Sequence, residues 1–412
     1  MNNFQMLSHP KMLARQALIR SMYGREWLAH TRLRTDRPNT TQIKRVLVVR
    51  PDHLGDLLFA TPALERLRRA FPDLHITGLT GPWGRAMWEH NRNLDSIATL
   101  PFPGITASKE ANPLAPYRML GRSAASLKRA EYDLAIVLRF DHWWSAALMW
   151  LAGIPYRWGY DTAGMGAWLT NKAHYVLGRH EVEQNLRLME EVINFVYGRA
   201  RVRRVGELEI DRERGIPALQ PPRPIPPQHE LPADWLDAPK RAVIHPGTAA
   251  ANKLWTISGW AEVVNKLREE DWAVTFTGSP DERKLADAIS SAAEAQHSMQ
   301  EHKLSNLAGQ TASIAQLAWV LDKAHMVLGV DSGPLHIAAA LHKPTLHLYG
   351  PSDETIWGPW GDPKKHRAFR APGTHPTMHL EVGSPNLEGG PEMRAITPEM
   401  VLGEIAELER KT

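Results

Sequence analysis

Short apolar strands alternate with helices through most of this chain, and a dense run of prolines interrupts the alternation once. Seven prolines fall between Pro217 and Pro232. Proline has no amide hydrogen to donate and holds its backbone extended, so this stretch is typical of a linker between domains. The pattern therefore predicts an α/β protein of two domains rather than one continuous sheet.

The first half begins its alternation at the apolar run 45–50, which suits a buried parallel strand. A short loop leads to a predicted helix over 57–71 and a strand over 74–80, which makes a strand–loop–helix–strand unit. Further strands are predicted near Ile97 and over 133–138, and further helices over 118–129 and 181–197.

The alternation restarts after the prolines. Strands are predicted over 242–245, 273–277, 326–330 and 345–349, and helices over 257–267, from 280, over 314–321, 335–341 and 399–409. We therefore expect two doubly wound, Rossmann-like domains, whose ligands bind outside the carboxyl ends of the strands, in the cleft between the domains. The predicted divisions are a basic N-terminal extension (1–43), a first Rossmann-like domain (44–216), the proline-rich linker (217–239), a second Rossmann-like domain (240–396) and a C-terminal helix (397–412).

Composition excludes several functional classes. The 412 residues include no cysteine, which removes disulfides, thiolate zinc sites and cysteine nucleophiles. The formal net charge is only +4, so no nucleic-acid partner is expected. The histidines form no HExxH pair and have no ligand-like spacing, so no metal site is predicted. No apolar run approaches the roughly 20 residues that cross a bilayer, and the N-terminus lacks a signal-peptide core, so we expect a cytoplasmic protein.

Basic residues are concentrated in the first forty positions. Met12, Ile19, Met22, Tyr23 and Trp27 fall on one side of a helix within that stretch. One interpretation is a basic amphipathic segment that makes a peripheral contact with the cytoplasmic face of the inner membrane, or steers an anionic acceptor. The other is a helix packed on the first domain, or a partly ordered tail.

Three loops directly follow predicted strands. In the first, Gly55 permits a tight turn and Asp56 stands at the start of a helix, where the helix dipole favours the ionised carboxylate. Facing the cleft, such a carboxylate could take a proton from an attacking hydroxyl. The alternative is that Asp56 caps the helix, because aspartate is favoured at that position.

The second loop runs from His245 to Trp255 and consists largely of small residues. The Thr248 hydroxyl could donate a hydrogen bond to a diphosphate, and Lys253 could balance the charge of that diphosphate. The Walker A spacing is absent. An ordinary surface lysine on a loop is the alternative.

The third loop runs from Gly329 to His336. Asp331, Ser332 and Gly333 lead into a helix whose first amides are free for an anion, and His336 could approach the same place. The alternative is a helix-capping turn with an interior histidine. A fourth loop carries Glu282, which suits the helix dipole alone or could accept hydrogen bonds from a ribose.

Taken together, these loops resemble glycosyltransferase family 9, the ADP-heptose:lipopolysaccharide heptosyltransferases. Residues 48–64 (VVRPDHLGDLLFATPAL) resemble the opening motif of the family, residues 245–255 its second loop, and residues 329–341 its third. The similarity extends over about 44–360, with the motifs in the family's order.

The resemblance implies a GT-B fold with two facing Rossmann-like domains, of which 44–216 would hold the acceptor and 240–396 the nucleotide sugar. It also implies sugar transfer with inversion at the anomeric carbon and without a cofactor or an obligatory metal. Asp56 matches the catalytic base, and Lys253 matches the lysine that neutralises the departing diphosphate. The residues matching donor contacts are Thr248, Lys253, Glu282, Asp331, Ser332, Gly333 and His336. The implied partners are a nucleotide sugar and a glycan or glycolipid acceptor. Arg85, Arg139 and Arg157 lie in the half expected to hold that acceptor, and we predict that they meet its phosphates or carboxylates.

Two other functions fit the same fold. A nucleotide-sugar 2-epimerase also uses two Rossmann-like domains, but no loop here suggests acid and base groups around a hexose C2. A non-catalytic nucleotide-binding module is the other, and the presence of Asp56 together with Lys253 argues against it.

Overall fold

The computed structural model of the chain describes residues 9–24, 43–105, 112–162, 164–198, 218–227, 231–296, 304–382 and 388–411. The chain divides into two compact units, Met1–Pro217 and Ala218–Thr412. The described part of the proline-rich stretch packs on the second unit, because Leu219 is buried and the Ile225 amide donates to the Ala315 carbonyl at 3.0 Å.

The first unit contains a parallel sheet of six strands in the order β3-β2-β1-β4-β5-β6. Its strands are β1 (Arg45–Val49), β2 (His75–Thr80), β3 (Ser96–Thr99), β4 (Leu134–Val137), β5 (Tyr156–Tyr160) and β6 (Asn171–Ala173). Val48 of β1 pairs with Gly78 on one side and Ile136 on the other. The central strands are apolar throughout because helices cover both faces of the sheet.

Helices α1 to α7 of the first unit are His9–Met22, Leu54–Phe59, Thr61–Ala70, Arg85–Trp88, Ala115–Lys128, Trp143–Leu151 and Glu181–Val196. The sequence analysis did not predict α6, β5 or β6. Every residue of α6 except Trp143 is buried, so this helix has no polar face and therefore no helical period to detect.

The single helix predicted over 57–71 is two helices, α2 and α3, which meet at Ala60. Pro62 explains the break, since it has no amide hydrogen to give to the Leu58 carbonyl one turn earlier. The Thr61 hydroxyl donates to that carbonyl instead, at 2.7 Å.

Helix α1 packs on the first unit along its apolar side. Met12 and Ile19 are buried, and the Tyr23 hydroxyl just after the helix donates to the Tyr117 carbonyl at 2.7 Å. The Arg15 guanidinium lies 4.7 Å from the centre of the Trp143 ring, a cation–π distance. These residues confirm the helix-packing interpretation; Trp27 and the basic residues after it lie outside the described residues.

The second unit has a sheet with the same topology, in the order β12-β11-β10-β7-β8-β9 and again all parallel. Its strands are β7 (Lys240–His245), β8 (Trp272–Phe276), β9 (Leu304–Asn306), β10 (Met326–Val330), β11 (Thr345–Leu348) and β12 (His366–Phe369). Its helices, α8 to α15, are Ala233–Leu236, Ile257–Glu269, Arg283–Gln296, Ile314–Lys323, Gly333–Ala340, Glu354–Trp357, Pro391–Arg394 and Pro398–Lys411. Side chains cap the starts of several of them; for example, Thr256 accepts from the Gly259 amide and Ser313 from the Gln316 amide, both at 3.2 Å.

Three turns from a helix into a strand contain a non-glycine residue with a positive φ angle. These residues are Glu131 (φ 51°) before β4, Asp271 (φ 67°) before β8 and His342 (φ 60°) before β11. Because each precedes a strand, all three lie at the amino edges of the two sheets. None of the described helices has the length and apolar character to cross a bilayer.

Candidate active site

Arg50 is the centre of a buried charge cluster at the carboxyl edge of the first sheet. It follows β1 directly and is 3% exposed. One terminal nitrogen, Nη1, donates to the Leu138 carbonyl at 2.9 Å and to Asn185 at 3.2 Å. The other, Nη2, lies 3.3 Å from Asp56 and 2.9 Å from Glu181.

Asp52 joins two arginines in this cluster. Its carboxylate contacts Arg50 Nε through one oxygen and Arg139 Nη1 through the other. Arg139 follows β4 and also contacts Asp141 at 2.5 Å. Although burial alone would raise the pKa of Asp52, the Arg139 and Arg50 guanidinium groups lower it below its usual range. Asp52 therefore holds the loops after β1 and β4 together as an ionised carboxylate.

Asp56 lies in the first turn of α2 with its carboxylate directed at Arg50. The residue at the N-cap position of this helix is His53, so the geometry does not support the helix-capping alternative for Asp56. Burial, followed by the negative charges of Asp52 and Glu181, raises the pKa of Asp56 to about 7, while Arg50 and Arg139 oppose that rise. A carboxylate with this pKa can accept a proton near neutral pH.

Glu181 and its neighbours complete the cluster from α7, and the sequence analysis did not single them out. Glu181 is 2% exposed, and its second oxygen accepts from the Tyr175 hydroxyl at 2.8 Å. Glu181, Gln184 and Asn185 are all buried on one face of α7. Buried polar residues at this i, i+3, i+4 spacing are the sequence signal that could have found them, since such side chains need polar partners.

The three arginines predicted to meet the acceptor lie in different surroundings. Arg139 belongs to the cluster around Asp52, and Arg85 is the first residue of α4, 55% exposed and 3.7 Å from Glu89. Arg157 is buried in β5, where it donates to the carbonyls of Trp168 at 2.8 Å and Ile154 at 2.6 Å. These bonds account for Arg157 within the fold, so its acceptor contact stays a prediction without geometric support.

Asp331 is the centre of the corresponding site in the second unit. It follows β10, is 6% exposed, and its carboxylate lies 2.6 Å from Lys253 Nζ and 3.5 Å from His336 Nε2. The Ser352 hydroxyl donates to it at 2.6 Å. Although burial alone would raise the pKa of Asp331, Lys253 and His336 hold it well below its usual range.

The loop after β7 meets this site through Thr248 and Gly247. The Thr248 hydroxyl donates to the Asp331 carbonyl at 3.3 Å. Gly247 lies so close to Glu282 that a Cβ atom there would clash with the Glu282 carboxylate. Glu282 is held in turn by the Ser279 amide at 2.6 Å. The loops after β7, β8 and β10 therefore come together at one edge of the sheet.

The start of α12 supplies donors to the same place. Ser332 is the N-cap residue but makes no side-chain cap, and Gly333 and Pro334 form the first turn. The Ser332 hydroxyl oxygen is shielded from solvent and has no hydrogen-bond partner among the described residues. An unused hydroxyl beside the free amides of a helix start suits an anionic ligand.

Ser352 in the loop after β11 and Arg370 directly after β12 support this site, and the sequence analysis missed both. Arg370 donates to the Ser352 carbonyl at 2.5 Å and to the Glu354 carboxylate at 2.6 Å. It thereby fixes the loop whose serine hydroxyl holds Asp331. No pattern near Arg370 in the sequence indicates this contact, which depends on the neighbouring strands β11 and β12.

Both clusters occupy the same topological position. In the first sheet the strand order reverses between β1 and β4, and Arg50, Asp56 and Arg139 follow those strands. In the second it reverses between β7 and β10, and Lys253 and Asp331 follow those. Open α/β sheets bind ligands in the crevice at this switch point. Within the described residues, no three histidine or acidic side chains gather as a metal site would require.

These features define a class of protein: doubly wound α/β proteins with a site suited to a phosphate at the carboxyl edge of a sheet. The family model of glycosyltransferase family 9 (heptosyltransferase) matches residues 120–380, which is more than half of the chain. The chain belongs to this family and is a glycosyltransferase. The epimerase and the non-catalytic module are therefore disfavoured. The loop with Asp56 precedes the matched residues.

Curated relatives agree with the family. The chain is 26% identical over 314 residues to lipopolysaccharide heptosyltransferase 3 of Escherichia coli K12, covering 74% of this chain and 82% of the relative. It is 25% identical over 320 residues to lipopolysaccharide heptosyltransferase 2 of Salmonella typhimurium, covering 76% and 85%.

Solved structures share the fold. The E. coli ADP-heptose lps heptosyltransferase II aligns with a TM-score of 0.63 and 20% identity, over 89% of this chain and 99% of that one. The E. coli heptosyltransferase WaaC with ADP gives 0.62 and 22%, over 88% and 99%. The predicted GT-B fold, built of two Rossmann-like doubly wound domains, is confirmed.

Proposed function

We propose that this chain moves heptose from ADP-heptose to a hydroxyl of a lipopolysaccharide-core or related envelope glycan acceptor, with inversion at the anomeric carbon. The observation that carries the proposal is the convergence of Thr248, Lys253, Glu282 and the Asp331 loop beside a helix start, in a member of a heptosyltransferase family. Relatives named lipopolysaccharide heptosyltransferases and a related structure solved with ADP-2-deoxy-2-fluoro heptose support it.

The donor would bind in the second unit. Lys253 supplies a positive charge for the diphosphate, and Thr248, Ser332 and the amide of Gly333 supply hydrogen bonds to its oxygens. Glu282 would accept from the ribose hydroxyls. Asp331 and His336 would contact the donor near the phosphates and the sugar, as the family resemblance implies.

The acceptor hydroxyl would be activated in the first unit. Asp56 takes the hydroxyl proton while the oxygen forms a bond to the anomeric carbon. The bond from that carbon to the diphosphate oxygen breaks, and the electron pair leaves with ADP, whose added charge Lys253 and the helix start stabilise. Arg85 and Arg139 would meet phosphates or carboxylates of the acceptor.

This mechanism includes no metal and no cofactor, because the cationic side chain and the amides supply the charge stabilisation that a metal would otherwise give. We propose that the reaction takes place in the cytoplasm. A peripheral contact with the membrane face belongs to the same proposal and would involve the basic residues that precede the first sheet.

The test compares wild type with Asp56→Asn on ADP-heptose and a panel of truncated lipopolysaccharide-core acceptors, with product anomers assigned by NMR. Wild type should transfer heptose in the presence of EDTA. Asp56→Asn should bind ADP with unchanged affinity by calorimetry, yet transfer about 10²- to 10⁴-fold more slowly, which is the usual contribution of a general base.

Asp73→Asn is the matched control, because Asp73 is an exposed aspartate of the same unit. It should transfer at the wild-type rate. Equal rates for Asp56→Asn and wild type would remove Asp56 as the base, and absence of ADP-heptose binding by wild type would overturn the donor assignment.

A further inference from the structure

Arg50 has no guanidinium nitrogen left free for a ligand. Nε faces Asp52, Nη1 serves the Leu138 carbonyl and Asn185, and Nη2 serves Asp56 and Glu181. These partners come from four elements of the first unit: the loop after β1, the first turn of α2, the end of β4 and helix α7. The guanidinium is therefore fixed in one orientation, and it contacts Asp56 without being able to reach a substrate.

Glu181 shares the nitrogen that contacts Asp56. Arg50 Nη2 lies 2.9 Å from Glu181 but 3.3 Å from Asp56. The Tyr175 hydroxyl holds the other oxygen of Glu181 at 2.8 Å, so this carboxylate cannot turn away from the arginine. Arg50 Nη2 thus makes its shorter contact with Glu181, whose other oxygen is also held. Asp56 is therefore the more weakly paired of the two carboxylates that share this nitrogen.

We propose that Arg50 and Glu181 are a pair of positioning residues for Asp56, in which Arg50 orients the carboxylate and Glu181 limits how strongly the arginine neutralises it. This inference rests on the proposed function, in which Asp56 is the general base. A carboxylate paired fully with a buried arginine would be a poor proton acceptor, because its proton affinity would be too low. Arg50 orients Asp56 and favours its ionised form, and the competition with Glu181 keeps the carboxylate basic.

The charged groups facing Asp56 support the same balance. They are Arg50 at the end of β1, Asp52 in the loop after it, Arg139 after β4 and Glu181 on α7. Burial and the two carboxylates raise the pKa of Asp56 to about 7, and the two arginines oppose the rise. Removing Glu181 or Arg50 should therefore move that pKa in opposite directions, whereas a loss of fold alone would not.

The experiment uses full-length Glu181→Gln and Arg50→Gln. The carboxyl pKa of Asp56 is measured by ¹³C NMR titration, with the resonance assigned by its loss in Asp56→Asn, and kcat/KM for transfer is measured from pH 5 to 9. We expect the pKa and the acid limb of kcat/KM to fall by about 0.5–1 pH unit in Glu181→Gln and to rise by a similar amount or more in Arg50→Gln. For each protein, kcat/KM at pH 6 is then expressed as a fraction of its own high-pH plateau. This fraction should be about three- to fivefold larger in Glu181→Gln than in wild type.

Glu190→Gln is the matched control. Glu190 lies on the same helix and pairs with Arg66, so its loss removes one carboxylate of α7 and one ion pair away from the cluster. The pKa of Asp56 should not move in this variant.

Arg50→Gln leaves two buried carboxylates without their partner and could fail to fold. In that case Glu181→Gln alone still tests the positioning role. An unmoved or raised pKa in Glu181→Gln overturns the inference, and so does a folded Arg50→Gln with an unmoved pKa. The NMR titration needs no turnover, so this failure is distinct from that of the proposed function, which would be seen as equal transfer by wild type and Asp56→Asn.

Discussion

Asp331 depends on Lys253 for its charge balance, since the carboxylate is 6% exposed and Nζ lies only 2.6 Å away. Breaking a buried ion pair by removing one partner typically costs about 3–5 kcal/mol, because the other charge is left uncompensated. The lysine assigned to the departing diphosphate is thus also part of the fold of the second unit. Loss of activity in a lysine variant must be separated from loss of stability.

We expect Lys253→Met to lower the free energy of unfolding by about 3 kcal/mol and to abolish transfer. The double variant Lys253→Met/Asp331→Asn should recover most of that stability, since neither charge remains, but none of the activity. Urea unfolding at pH 7 and transfer assays check both statements. A single variant as stable as wild type would show that the pair contributes nothing to folding.

The same carboxylate should make stability sensitive to acid. The pKa of Asp331 is lower in the folded chain than its ordinary value, so its contribution is present above about pH 4 and is lost as the pH falls below that value. Urea unfolding between pH 3 and 6 should therefore show a shallower loss of stability in Asp331→Asn than in wild type. Parallel curves for the two proteins would contradict this.

For single residues, the sequence located the candidate site residues better than it located the side chains that contact them. Asp56, Lys253 and Asp331 each follow a recognisable strand and loop, which is why their positions were predictable. Ser352 carries no comparable local signal, and the only signal for Glu181 is the spacing of polar residues along α7. Their contacts form only when distant parts of the chain pack together, and one sequence does not encode that packing as a motif.

Among the elements, the loop after β7 owes its path to Gly247. A methyl group at this position would meet the Glu282 carboxylate, which is the flexible end of a long side chain. We expect Gly247→Ala to displace Glu282 and weaken ADP binding by about tenfold, which is the loss of roughly one charge-assisted hydrogen bond, while the fold is retained. Calorimetry with ADP and a thermal melt provide the two readouts.

Gly403 in α15 gives the control for that substitution. A Cβ there meets nothing within 4 Å, so Gly403→Ala should stabilise the helix by up to about 1 kcal/mol and leave ADP affinity unchanged. Wild-type affinity in Gly247→Ala would show that Glu282 has no part in nucleotide binding.

Helices and strands could be located from the sequence where their apolar residues form a clear pattern. Strands β1, β7 and β10 are continuous apolar runs between clear turns, and the sequence located them to within a few residues. Helix α6 is apolar on all sides and was missed for lack of a polar face. The break at Ala60 was missed because Pro62 is tolerated in the first turn of a new helix and so did not mark the end of the previous one.

In the whole molecule, the residues proposed to bind the donor and the residue proposed as the base belong to separate compact units. Every residue assigned to the donor lies within Ala218–Thr412, whereas Asp56 lies within Met1–Pro217. We expect residues 218–412 expressed alone to fold and to bind ADP within about threefold of the full chain, because the contacts assigned to the nucleotide are internal to that unit. The fragment should show no transfer.

Calorimetry and a transfer assay on the fragment test this, with full-length Asp56→Asn as the binding-competent reference. A folded fragment that does not bind ADP would mean that the first unit contributes to the nucleotide site.

The left-handed turns at Glu131, Asp271 and His342 can be substituted to raise stability without changing the residues of the candidate active site. Each residue is exposed and holds a backbone angle that costs an L side chain about 1–2 kcal/mol, part of which glycine would recover. Because these turns stand at the amino edges of the sheets, Glu131→Gly should raise the free energy of unfolding by about 0.5–1 kcal/mol at constant kcat, as urea unfolding and assay would show. Substitutions at these turns alone could therefore give a more stable enzyme for long incubations at raised temperature.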